Sequence, residues 1–150
     1  DVTYVNAPGL AAERGVSSSV TTTPDSPEYR SMISLHLALS NGKSIKIDGT
    51  LMGIRKVEKI IAIDGFDLDL PPTENMLFLG YADRPGVVGA VGNALGAAKI
   101  NIAGMQVARQ AQGGSALMAI TVDSTVTESV AAAVAKEIGA DLVRSVSLVG

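Results

Sequence analysis

The segment Tyr81-Ala82-Asp83-Arg84-Pro85-Gly86-Val87 sets a phenol, a carboxylate and a guanidinium beside a proline-glycine pair, and an amide follows at Asn101. Proline fixes its own φ near the helical value and has no N–H to satisfy, so Arg84-Pro85-Gly86 predicts a helix start. Backbone N–H groups just beyond such a start face any nearby anion. Asp83, immediately before it, either caps the helix or presents its carboxylate to an ammonium. Asn101 offers donors and acceptors to a ligand, or is a polar turn residue ahead of a strand. On local grounds both pairs of readings stay open. A small molecule carrying both charges, such as an α-amino acid, suits the combination.

Those residues need a scaffold, and the pattern after position 75 supplies one. Met76 to Ala82 reads as a strand, Pro85 to Ala98 as a helix, and Asn101 to Gln110 and Ser115 to Asp123 as strands. Thr127 to Ile138 then reads as a helix and Asp141 to Val149 as a strand. Gln112-Gly113-Gly114 makes the central hairpin, and Gly139 stops the second helix. This βαββαβ order predicts an antiparallel sheet with both helices on one face. The bare face or an edge strand then needs a partner, which predicts self-association.

Leu70-Pro71-Pro72-Thr73-Glu74-Asn75 reads as a linker, because two successive prolines continue neither a central strand nor a helix. Ahead of it, Ala7 to Gly15 predicts a short helix with a glycine stop. Gly15 to Thr23 and Tyr29 to Leu39 predict strands separated by Pro24-Asp25-Ser26-Pro27, the second with Leu35, Leu37 and Leu39 on one buried face. Asn41-Gly42 and Asp64-Gly65 favour hairpin turns, the second between Val57 to Ile63 and Phe66 to Leu68. This region is mostly β and reads as incomplete, since so many strands with so little helix leave one sheet face uncovered.

With 47% hydrophobic and 18% charged residues in 150, the chain has enough apolar surface for a core. A net charge of -3 and no Lys/Arg run argue against nucleic acid or an anionic membrane as partner. The absence of cysteine excludes a disulfide framework and a thiol nucleophile, and fits the cytoplasm. The first residues carry neither a signal peptide nor a membrane anchor, and the chain reads as a fragment of something longer.

Other residues invite chemistry that their context does not support. Gly86, Gly89, Gly92 and Gly96 form neither GxGxxG nor a Walker pattern, and read as close packing of a helix on its sheet or on a second copy. His36 points away from the face of Leu35 and Leu37 and has no second histidine or cysteine beside it, which argues against a metal. Lys43, Lys46, Arg55, Lys56 and Lys59 read as solvated positions. No nucleophile, base and orienting group stand together, so the fragment itself has no predicted catalytic or cofactor-binding residue.

Tyr81 to Val88, followed by Ile100-Asn101-Ile102, resembles the ACT domain, a ferredoxin-like α+β amino-acid-sensing module, over residues 75–150. Val5-Asn6-Ala7-Pro8, Leu10-Ala11, Glu13-Arg14-Gly15 and Gly49-Thr50-Leu51 make residues 1–72 resemble part of the intervening domain of long-form bacterial D-3-phosphoglycerate dehydrogenases. The resemblance implies a C-terminal regulatory region whose NAD-dependent catalytic domains lie elsewhere. It implies a homo-oligomer with L-serine as feedback effector, held by Tyr81, Asp83, Arg84, Pro85, Gly86 and Val87 of one subunit and Asn101 of its neighbour. Tyr81 stands where some relatives have histidine, and Asp83 where others have asparagine. Relatives also hold a basic anion pocket in the intervening domain; here Lys59 remains, but Asp64, Asp67 and Asp69 would repel a phosphate. A different reading makes the fragment an oligomerisation module without a ligand.

Overall fold

The computed structural model describes residues 2–3, 5–24 and 29–148. The chain divides into two compact units, Asp1–Arg30 and Ser31–Gly150. In the first, helix α1 (Ala7–Glu13) carries a proline in its first turn and buries none of its residues. Asn6 Oδ1 accepts from the Thr3 N–H at 2.6 Å, and Gly15, at φ 68°, turns the chain out of the helix. The strand expected over Gly15 to Thr23 does not form, and Val16 and Val20 are exposed. A strand needs a neighbour for its backbone groups, and among the described residues no sheet includes this segment. Asp25 to Pro27, expected as part of a break, lie outside the described residues, as does Val149.

The second unit opens with β1 (Met32–Ala38), β2 (Ser44–Met52), β3 (Val57–Ile63) and β4 (Phe66–Leu70), an antiparallel sheet in that order. Asp64 and Gly65, both at positive φ, join Ile63 to its partner Phe66, the two-residue turn that Asp-Gly favours. Gly42, at φ 78°, closes the β1–β2 loop. The expected strand from Tyr29 to Leu39 is shorter at both ends. Leu35 pairs with Ile47 and Leu37 with Ile45, so the alternation does set one apolar face. That face is not buried at β1: every residue of the strand is exposed, Ile33 at 76%. Alternation specifies which way a side chain points, whereas burial also requires a covering layer.

Residues 71–74 carry no strand or helix, and beyond them the βαββαβ order appears as β5 (Asn75–Ala82), α2 (Val87–Ala97), β6 (Ile102–Arg109), β7 (Ser115–Val122), α3 (Glu128–Ile138) and β8 (Leu142–Ser147). This second antiparallel sheet runs β6-β7-β5-β8. Leu77, Leu79 and Tyr81 of β5 and Met118 and Ile120 of β7 face Val87, Val91 and Leu95 of α2 and Ala131, Val134 and Ile138 of α3, forming the main core. The opposite face, Met76, Phe78, Leu117 and Ala119, is covered in part by Leu68 and Leu70 of β4. The chain therefore supplies some of the cover that was expected from a partner. Thr127 caps α3 through Oγ1 to the Val130 N–H, and Gly139 ends it at φ 61°. No described helix is long and apolar enough to cross a membrane.

Two expectations for α2, its start and its glycine packing, are corrected. α2 begins at Val87, and Pro85-Gly86 instead form a turn in which Gly86 adopts φ 89°, a value that proline-glycine supplies in a type II turn. A Cβ on Gly89, Gly92 or Gly96 would meet nothing within 4 Å, so these glycines do not mediate close packing on the sheet of this chain.

Candidate functional site

Asp83 leaves the end of β5 and is held by the β6–β7 hairpin. Its N–H donates to the Gly114 carbonyl at 2.8 Å, and its Oδ2 accepts from Arg109 Nη1 and from the Gly113 N–H, each at 3.3 Å. It does not cap α2, whose capping residue is Gly86 with no side-chain bond. The carboxylate, with 18% of its side chain exposed, lies in a cleft of about 380 Å³ between the Arg84-Pro85 turn and the Arg109, Gln112 and Gly113 end of the hairpin. This volume lies in the range of small-molecule sites, about 300–1,000 Å³.

Arg84 borders the same cleft but sends its guanidinium elsewhere, to the carbonyls of Ala82 and Ile138. The second of these is a terminal α3 carbonyl, which lacks an acceptor role inside its helix. Tyr81 is buried in the helix-side core next to Val87. Burial foremost raises the pKa of its phenol, with Asp83 adding to the shift and Arg84 opposing it, so the group is a neutral donor at neutral pH. The first intrahelical bond of α2 runs from the Ala90 N–H to the Gly86 carbonyl at 3.0 Å, which leaves the Val87, Val88 and Gly89 N–H groups at the open helix end.

Asn101 is somewhere else. Its Nδ2 donates to Asp123 Oδ2 at 2.6 Å, and its carbonyl accepts from the Asp123 N–H. Ile102 pairs with Val122 at one end of β6 and Arg109 with Ala116 at the other. At about 3.4 Å per residue, that strand separates Asn101 from the Asp83 end by roughly 25 Å. One chain therefore brings Tyr81, Asp83, Arg84 and Pro85 together and does not bring Asn101 to them.

Residues 75–139 match the ACT domain family. They form an ACT domain. Across 147 residues the chain is 38% identical to a protein named D-3-phosphoglycerate dehydrogenase from Mycobacterium leprae, covering 98% of this chain and 28% of that protein. Proteins of the same name from Bacillus subtilis (36% over 122 residues; 81% of this chain, 23% of theirs) and Methanocaldococcus jannaschii (34% over 129; 86% and 24%) are also similar. The chain thus spans about a quarter of the length of the curated relatives it matches, and its similarity extends through the residues ahead of the ACT domain.

A second cavity, of about 270 Å³, lies between the β3–β4 turn and the ACT sheet, walled by Ile63, Phe66 and Leu142. Tyr81, Gln110 and Ser115 also line it, but its charged lining residues are Asp64 and Asp141, both acidic, so it offers no cation to a carboxylate ligand; the Asp83 cleft offers both signs of charge. Lys59, the residue left for an anion site ahead of the ACT domain, has its ammonium 2.7 Å from Asp69 Oδ1. Sequence reasoning missed Arg109, Gly113 and Asp123. Their relevance follows from strand register, since Ala82 pairs with Ser115 and Arg109 with Ala116, which sets Arg109 level with the start of the Asp83 turn.

Proposed function

We propose that this chain is the amino-acid-sensing regulatory region of a D-3-phosphoglycerate dehydrogenase, with L-serine as effector bound between two copies of the ACT domain. In this reading residues 1–72 are part of an intervening domain, residues 75–150 are the sensor, and the NAD-dependent oxidoreductase chemistry belongs to cytoplasmic catalytic domains outside this chain. The observation that carries it is the Asp83 carboxylate, freed from helix capping and lying in a small cleft, while Asn101 stands at the far end of the same strand system. A carboxylate so placed accepts from an ammonium, the α2 N–H groups and the neighbouring Arg109 guanidinium donate to a carboxylate, and Asn101 reaches such a site only from a neighbouring chain. A ligand that needs two chains stabilises one arrangement of subunits over another, which is what feedback inhibition requires.

Calorimetric titration with L-serine tests this. Asp83→Ala removes a charge-assisted acceptor, about 1.5–3 kcal/mol, so affinity should fall roughly ten- to a hundredfold. Asn101→Ala should cost somewhat less. Asp83 does not cap α2, so the stability its replacement costs is that of its bonds to Arg109 and the Gly113 N–H, about 1 kcal/mol, and α2 itself should be unaffected. Unchanged affinity in both variants refutes the site, and an intact oligomer without saturable serine binding makes the fragment an oligomerisation module.

A further inference from the structure

Asp83 is not alone in its cleft. Arg109, at the end of β6, places Nη1 3.3 Å from Asp83 Oδ2, and that same oxygen takes the Gly113 N–H at 3.3 Å. The ion pair is made through one guanidinium nitrogen rather than as a two-bond fork, and the Arg109 side chain is 59% exposed. The second carboxylate oxygen and the remaining guanidinium N–H groups are therefore both left for a ligand in one cleft. Arg84 does not duplicate this cation, because its guanidinium is engaged at the Ala82 and Ile138 carbonyls.

An ammonium recruited by Asp83 arrives next to a fixed positive charge. A simple amine is repelled by it, whereas an α-amino acid carries its own carboxylate one carbon away and turns that repulsion into attraction. We infer that Arg109 is a specificity-determining residue of the ACT site, selecting zwitterionic amino acids against amines that lack a carboxylate. This inference rests on the proposal that the Asp83 cleft binds an amino acid. Its physical basis is that guanidinium binds carboxylate through paired N–H donors, so the ligand dipole lies antiparallel to the Asp83–Arg109 pair.

The test compares L-serine with ethanolamine, the same molecule without the carboxylate, by calorimetry on the full chain and on Arg109→Gln and Arg109→Lys. The native chain should bind L-serine and discriminate against ethanolamine. In Arg109→Gln, L-serine should weaken about tenfold while ethanolamine binds no worse, and Arg109→Lys should retain part of the preference. Equal tightening of both ligands would make Arg109 only a competitor for Asp83 and overturn the inference, as would an unchanged ratio in Arg109→Gln. Native chain that binds no L-serine removes the underlying site and this inference with it. Binding that persists with an unaltered ratio removes the inference alone.

Discussion

Asp48 and Asp83 each have a cation beside them, yet only one is open to a ligand. Asp48, on β2, is buried and accepts from Ser34 Oγ at 2.6 Å, with Lys46 Nζ at 2.9 Å. Burial is the largest influence and raises its pKa, but the Ser34 hydrogen bond and Lys46 together outweigh it, and the net shift is downward from 3.8. A carboxylate with a lowered folded-state pKa contributes stability above its unfolded pKa and loses that contribution as pH falls through the folded value. Asp48→Asn should therefore lower stability by about 1.5–3 kcal/mol at pH 7, with the difference shrinking below about pH 4. Denaturant titrations of both proteins at neutral and acid pH check this, and a gap independent of pH would contradict it. Lys59 illustrates the opposite fate of a charge: its ammonium is matched by Asp69, so little remains to attract a phosphate.

At the scale of elements, the glycines of the ACT domain separate into two kinds. A Cβ on Gly104 would lie 2.9 Å from Thr121 Oγ1, and Thr121 is buried in the adjacent strand β7. Gly104→Ala should thus overpack the β6–β7 pair and cost about 1–3 kcal/mol. Gly89 and Gly96 lie on the exposed side of α2 with open space around them. Alanine there should stabilise the isolated helix by roughly 0.5–1 kcal/mol each, because glycine loses more backbone freedom on folding. If this face meets a second copy, the same substitutions should raise the melting temperature of the dissociated chain while weakening self-association. Thermal melts paired with sedimentation at several concentrations separate the two effects.

Across the whole second unit, the two sheets are joined at their edges. β4 and β6 are both edge strands, and Gln106 of β6 bridges them by accepting from the Asp69 N–H at 2.9 Å and donating to the Asp69 carbonyl at 2.8 Å. The amide thus acts as a short length of strand against β4, beside the packing of Leu68 and Leu70 on Met76 and Phe78. Gln106→Ala should destabilise the unit by about 1 kcal/mol, since water reaches the freed Asp69 groups. Amide exchange at Asp69 should accelerate more than exchange within β5; equal protection in both proteins would show that the bridge holds nothing. β6 also carries Arg109 at one end and follows Asn101 at the other, so the strand that bears the candidate site also ties the ACT sheet to the sheet ahead of it.

By itself the sequence determined the order βαββαβ, the Asp64-Gly65 turn and the glycine stop of α3, because propensity, alternation and turn chemistry act over a few neighbouring positions. Tertiary structure decided what those residues meet. Pro85-Gly86 turns rather than starting a helix, which frees Asp83 for Arg109 and Gly113, residues about thirty positions away in the chain. Leu35 and Leu37 keep their alternation but gain no cover, and Gly15 to Thr23 has strand-forming residues yet, among the described residues, belongs to neither sheet. The physical reason is the same in each case: a side chain's direction is a local property, while its partner and its burial depend on register and on which layer lies opposite.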